Sequence, residues 1–287
     1  MRKVSFYDPQ FSMTGIDGIY IQHKLVYLDT NAISNICKEG DLIHKFLDKY
    51  PLDEKHLLCY STYSLYEIAK NKTLLPTFKK FYSLYPSVIV LSYFPLAVKE
   101  IDYIAGDIKF VNPILLSPQG ISVDGKSLIP NSLDLLLEQP EVKASFENID
   151  NYTFKFYTEV ISILDKPEFA HIDKDCITKR KGDFVRAFMR YELKYRFMNE
   201  QEVPIDKNKL KLMKSLNILA HAIFYKFYSD STRKIEKSDI IDILIMTTTP
   251  YVHTFVSEKN AIDILRKIKS QTDALDRLNL QKLSDIE

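Results

Sequence analysis

The chain has 287 residues, 46% of them hydrophobic, which is ample apolar material for one or two domains and excludes a disordered chain. Its formal net charge is +1, so global charge gives no argument for nucleic acid, and any such contact must come from local patches. Cys37, Cys59 and Cys176 are scattered, without a CxxC pair or a disulfide framework, which points to a reducing cytoplasm. No apolar signal core follows Arg2 and Lys3, and the apolar stretch 88–98 is broken by Pro95 and too short for a bilayer, so no membrane partner is expected.

In chain order, Gly15, Gly18 and the alternation near Ile19–Gln22 predict a small edge strand. Leu25–Leu28 is a short apolar run that ends in Asp29, and Thr30 and Asn31 then open a helical pattern. That reads as a buried strand delivering Asp29 to its carboxyl end. Helices are predicted over 31–38 and 42–50, ended by Gly40 and Pro51, then over 61–71 with Ser61 or Thr62 as N-cap. Within the last of these, Leu65, Ile68 and Ala69 set Glu67 near the apolar face. A helix over 74–85 precedes the β-branched run Ser87–Ser92, which reads as a second buried parallel strand. A helix over 95–106 leads into a stretch punctuated by Pro113, Pro118, Gly120, Gly125 and Pro130. From 131 to 234 the pattern is almost wholly helical, with main candidates 133–137, 151–164, 183–198 and 207–228. Ser238 then opens a helix on which Asp239 and Asp242 share a face. Finally the run Thr254–Ser257 is followed by Glu258 and another helix start.

An acid at the carboxyl end of a buried strand has two readings. It caps the following helix, or it binds a ligand, and metal is the usual one because an uncompensated buried carboxylate is costly. The strand-end acid Asp29, the helix acid Glu67, the helix-start acids Asp239 and Asp242 and the second strand-end acid Glu258 follow one another in an order that resembles the PIN-domain nucleases. The family opens on an apolar strand, Asp, Thr or Ser, Asn and a nearby Ser, which Leu25–Ser34 matches. Its inward helix Glu is matched by Glu67, its Asp before an apolar helix by Asp242, and its last strand-end acid by Glu258, which stands where the family has Asp.

The resemblance implies an α/β, PIN-like three-layer domain with a central parallel sheet, formed by residues 1–106 and 235–287, and a mainly helical insertion over 107–234. It implies a metal-dependent endoribonuclease. Asp29, Glu67, Asp242 and Glu258 would be catalytic and, with Asp239, would bind Mg²⁺ or Mn²⁺, hard cations that suit carboxylate oxygen. Asp239 reads equally as a helix cap beside Ser238. Thr30, Asn31 and Ser34 would support the ligands or a substrate phosphate, although Ser34 also reads as a plain first-turn polar residue. Many family members are toxins of toxin–antitoxin or defence modules, so the resemblance extends to a protein antitoxin as partner. A DNA or flap-type nuclease of the wider superfamily, and a degenerate scaffold that binds RNA or protein without cutting, are the alternatives.

The middle region also carries Lys179, Arg180 and Lys181, then Arg186, Arg190 and Lys194 at helical spacing, with Phe184, Tyr191 and Tyr195 nearby. Lysine and arginine with interleaved aromatics suit single-stranded nucleic acid, with RNA expected over DNA. The plainer reading is a solvated face paired with Glu192 and Glu200. On that reading the middle segment serves regulation or homo-oligomer formation.

Overall fold

The computed structural model describes residues 15–51, 56–84, 87–116, 133–164, 179–197, 207–229 and 235–286. Six strands form one sheet: β1 (Lys24–Leu28), β2 (His56–Ser61), β3 (Ser87–Val90), β4 (Ile114–Leu116), β5 (Thr254–Ser257) and β6 (Asn279–Lys282). Their spatial order is β4-β3-β2-β1-β5-β6. β4 runs antiparallel to β3 and every other pair is parallel. The sheet is therefore mixed and mostly parallel.

The central strands are apolar through most of their length, with polar residues only at their ends, because both of their faces are covered. Leu25 and Tyr27 enter one core, and Val26 and Leu28 enter another on the opposite face. Ile33, Phe46 and Phe78 bring the helices Thr30–Lys38, Gly40–Lys49 and Leu75–Leu84 onto the second face. Phe156, Met189, Leu219, Leu244 and Leu265 bring the helices Pro140–Leu164, Lys181–Glu192, Lys214–Ile223, Lys237–Met246 and Lys259–Lys269 onto the first. The helix Thr62–Lys70 serves both, with Tyr63 and Tyr66 on one side and Leu65 and Ile68 on the other.

Several expectations are corrected. The segment before β1 is the helix Gly15–Gln22, not an edge strand. Tertiary contacts dock it: the Asn112 side-chain amide donates to Asp17 Oδ1 (2.5 Å), and Tyr20 stacks on Phe110. β2 goes unannounced in sequence because His56-Leu-Leu-Cys-Tyr-Ser61 lacks β-branched residues and runs straight into an N-cap. The run at Ser87 is consequently the third strand, not the second. β6 is a half-buried polar edge, and β4 is only three residues long. The stretch 117–130, where most of the predicted loop signals fall, lies outside the described residues, as do Cys176 and Glu200.

The middle segment is helical where it is described, apart from β4, which belongs to the sheet. Its long helix begins at Pro140 rather than Asn151. The predicted helix over 183–198 runs as Lys181–Glu192 and widens into a π-helical turn, Leu193–Phe197. That over 207–228 breaks at Met213, and its second half widens into another π-helical turn, Phe224–Ser229. The restarted helix is held by Glu100, whose buried carboxylate accepts from the Ser215 backbone N–H (2.7 Å) and the Tyr251 hydroxyl (2.6 Å). Segment 107–234 thus shares the main core with the sheet and with the last two long helices. Among the described residues no helix is long and apolar enough to cross a membrane.

One buried polar cluster ties β1 to β2. The Tyr27 hydroxyl donates to Ser61 Oγ (2.6 Å), pairs with Ser64 Oγ (2.9 Å) and accepts from the Ser61 N–H (3.3 Å). Tyr27→Phe leaves these buried partners short of a bond, so it is expected to lower stability by about 1–3 kcal/mol, read as a lower denaturant midpoint at constant slope.

Candidate active site at the switch point of the sheet

From β1 the chain steps outward through β2 and β3, then returns to the other side of β1 with β5 and β6. The sheet order therefore reverses between β1 and β5. In open α/β sheets, ligands bind beyond the carboxyl ends of the strands at such a reversal. Asp29 leaves the end of β1 and Glu258 leaves the end of β5. The Asp29 N–H donates to the Val256 carbonyl (3.2 Å), which holds the two strand ends side by side.

A cavity of about 290 Å³ opens there, lined by Asp29, Glu67, Asp242 and Glu258 together with Thr30 and Asn31. Asp29 is both a cap and a cavity residue. Its Oδ1 accepts from the Ala32 N–H (2.7 Å), and its Oδ2 accepts from the Ser257 hydroxyl. Glu67 is half-buried and accepts from the Thr30 hydroxyl. Glu258 is exposed at the N-cap position of Lys259–Lys269, yet makes no side-chain capping bond. Its carboxylate is not committed to the helix.

Asp239 stands apart from these. It is 2% exposed, and its Oδ2 accepts the Glu236 N–H (2.8 Å) in a capping box. Its Oδ1 faces the Lys226 ammonium at 3.0 Å. Both oxygens are thus engaged, and Asp239 is not among the residues lining the cavity, so the geometry gives it a capping and ion-pairing place instead of a ligand's place. Ser34 is half-buried on its helix and does not line the cavity either.

Lys226 is the residue that sequence reasoning missed. It sits in the π-helical turn Phe224–Ser229, its side chain is 9% exposed, and its ammonium lies 2.7 Å from Asp242 Oδ2. In sequence it is one lysine inside Phe224-Tyr-Lys-Phe-Tyr228, a run that reads as core. Ser257 stands where the resembled motif has Thr or Ser, but its bond to Asp29 is not legible in sequence.

The basic residues lie elsewhere. Lys179 and Arg180 are exposed just ahead of the Lys181–Glu192 helix. Lys181 donates to Gln271 (2.7 Å) and to the Tyr225 hydroxyl (3.1 Å). Arg186 is ion-paired with Asp183 (2.5 Å), Arg190 is exposed, and Lys194 lies 5.6 Å over the Tyr195 ring. Arg196 turns inward to Glu192 (2.9 Å) and Glu159. None of the six residues expected to bind substrate lines the acidic cavity.

No family model, curated protein or solved structure matches the chain.

The donors of the cavity suit a hard divalent cation: four carboxylates from separate segments, flanked by hydroxyl and amide oxygens. Among the described residues no three His, Cys, Asp or Glu side chains are grouped closely enough to hold a metal ion as they stand. The spare lone pairs on the carboxylates are what an ion would draw inward. The electrostatics point the same way. Burial pushes the Asp29 carboxyl up from 3.8 to about 7, with Asp242 and Glu258 adding to the rise and the bonds from Ser257 and Ala32 opposing it. Glu67 is also raised, first by burial and then by Asp242, against the Thr30 bond. The charged forms of Asp29 and Glu67 are thereby disfavoured.

A pH prediction follows with a definite sign. An acid with a raised pKa in the folded state holds its proton more tightly when folded. For Asp29 that contribution to stability is full below 3.8 and is lost as pH rises through about 7. Glu100, buried away from the cavity and also raised to about 7, acts in the same direction. Thermal midpoints without metal are expected to fall as pH rises across this window. Asp29→Asn and Glu100→Gln are each expected to flatten part of the slope. A midpoint that climbs through the same range would contradict the assignment.

Proposed function

We propose that this chain is a metal-dependent endoribonuclease with a PIN-like catalytic centre. The observation that carries the reading is that Asp29, Glu67, Asp242 and Glu258, drawn from four separate segments, line one cavity at the switch point of a mostly parallel sheet. The order of these acids along the chain is the one that resembles the PIN-domain nucleases, and a cytoplasmic setting agrees with the scattered cysteines.

In this reading the four carboxylates hold Mg²⁺ or Mn²⁺. Such an ion, when bound, supplies an activated water and relief of the charge that builds on a phosphodiester during cleavage. The chain's own residues do the positioning. Ser257 and the Ala32 N–H fix both oxygens of Asp29, and the Thr30 hydroxyl fixes Glu67. Lys226 holds Asp242. Asn31 is exposed on the cavity wall, with an amide free to meet a substrate phosphate. Asp239 acts through Lys226 rather than on the ion.

The test is a cleavage assay on mixed RNA and single-stranded DNA with Mn²⁺ and, in parallel, with EDTA. RNA cleavage that EDTA abolishes is expected. Preferential cleavage of DNA moves the chain to the flap-type side of the superfamily. The Lys226–Asp242 pair favours one second reading, a scaffold that binds RNA or a protein without cutting, because a tethered cation already neutralises one of the acids. Binding without cleavage in any divalent metal is the outcome that selects it.

A further inference from the structure

A groove runs from the acidic cavity over the end of the Thr62–Lys70 helix. It shares Thr30, Glu67 and Ser238 with the cavity and continues past Tyr66, Lys70 and Lys72. It is shallow and open to solvent, a surface along which an extended chain can lie.

The character of its lining changes along its length. At the cavity end stand acids. At the other end the Lys70 ammonium lies 3.8 Å from the centre of the Tyr66 ring, and Lys72 is exposed. Lys72 sits on a fixed turn, because Asn71 Oδ1 accepts from the backbone N–H of Thr73 (3.2 Å) and of Leu74 (3.1 Å). Lys237 immediately precedes the groove residue Ser238, and its ammonium lies 4.9 Å from the centre of the Phe154 ring. Phe154 is 59% exposed. The acids on this side are Asp150, 3.2 Å from the Lys70 ammonium, and Glu236, exposed just before Lys237. Lys70 and Lys72 thus line a groove that begins at the proposed catalytic acids, Lys237 and the exposed Phe154 ring stand beside its residue Ser238, and Tyr66 is itself buried.

We infer that this groove carries the single-stranded RNA on one side of the cut, with phosphates on Lys70, Lys72 and Lys237 and a base against Phe154. The inference rests on the nuclease reading and adds the path of its substrate. Single-strand binding combines cationic contacts to the backbone with aromatic platforms for the bases; here the lysines continue from the acids, and the exposed Phe154 ring lies against Lys237. The Arg186–Arg190–Lys194 stripe lacks that continuity. Lys181, at the start of the same helix, is anchored on Gln271, which lies beyond the end of the last long helix opposite to Glu258.

The experiment measures binding of a fluorescein-labelled single-stranded RNA by anisotropy, in EDTA so that nothing is cut, across a salt series. Lys70→Gln/Lys72→Gln is compared with wild type and with Arg186→Gln/Arg190→Gln/Lys194→Gln. The groove variant is expected to bind about tenfold more weakly at low salt, and its salt slope to be shallower by about 1.4, which is about 0.7 for each lost phosphate contact. The stripe variant is expected to bind as wild type does. Because Lys70 also meets Tyr66 and Asp150, Lys72→Gln alone serves as the structurally silent version, with half the change in slope. Unchanged binding in Lys72→Gln and in the double variant, or a loss confined to the stripe variant, overturns the path while RNA cleavage by wild type leaves the nuclease reading standing. Wild type that neither binds nor cleaves RNA overturns both.

Discussion

Asp29→Asn is expected to abolish Mn²⁺-dependent cleavage while leaving the fold at least as stable as wild type. The loss follows from position. Asp29 is the acid at the strand end where β1 meets β5, and both its oxygens are oriented by fixed donors. On the nuclease reading Asp29 is the central charged ligand of a metal that contributes several kcal/mol of charge stabilisation, so its removal corresponds to about a thousandfold or greater loss of rate. The stability side follows from the same surroundings. Asparagine keeps the bond from the Ala32 N–H through its carbonyl, and its amide donates to Ser257 once that hydroxyl rotates. It is also a good N-cap. What disappears is the cost of a buried charge facing Asp242 and Glu258. Above neutral pH the variant is therefore expected to melt higher than wild type in EDTA, and Mn²⁺ is expected to raise the wild-type midpoint but not the variant's. Full cleavage by purified Asp29→Asn would remove the metal reading of this cavity, and a collapsed fold would show that Asp29 is chiefly a cap.

The acids of the cavity were legible because each falls where a pattern changes: Asp29 and Glu258 where an apolar run ends, Glu67 beside the apolar stripe of its helix, Asp242 at the start of another. Strand-end and helix-start positions are what sequence periodicity marks best. The parallel core around β1, β3 and β5 was legible for the same reason, since a strand buried on both faces is a continuous apolar run. β2 was not, because Leu57, Leu58 and Cys59 carry no strand preference of their own, and the sheet takes them only through pairing with β1 and β3. Nor was the shared core of the middle segment. Phe156, Met189 and Leu219 reveal that they are buried, but not that they are buried on the sheet. The Arg186 stripe shows another limit: helical spacing predicts a shared face, yet Lys194 falls in the π-helical turn, and spacing says nothing about which face meets the cavity.

Lys226 illustrates the limit most clearly, and it supports the second large effect. Lys226→Met is expected to destabilise the protein by about 3 kcal/mol, since removal of one partner of a buried ion pair leaves the other charge uncompensated. The partner that suffers is Asp239, 2% exposed and ion-paired to Lys226 at 3.0 Å. Asp242 suffers less because its side chain is 47% exposed. The two losses can be separated. Asp239→Asn in the Lys226→Met background removes the stranded buried charge and is expected to recover much of the stability, measured by denaturant unfolding at constant slope. Mn²⁺ is expected to recover a further part only while Asp242 remains, because the ion then replaces the ammonium beside that carboxylate. Cleavage separates the two readings of the site. If Lys226 merely holds Asp242 in place, Lys226→Arg, which keeps the charge, is expected to retain activity when saturated with metal. If Lys226 instead substitutes for a cation in a non-cleaving scaffold, neither wild type nor Lys226→Arg cleaves, and the methionine variant gains Mn²⁺ affinity without gaining turnover. Stability unchanged within experimental scatter in Lys226→Met would show that the pair between the middle segment and the Lys237–Met246 helix carries no energetic weight.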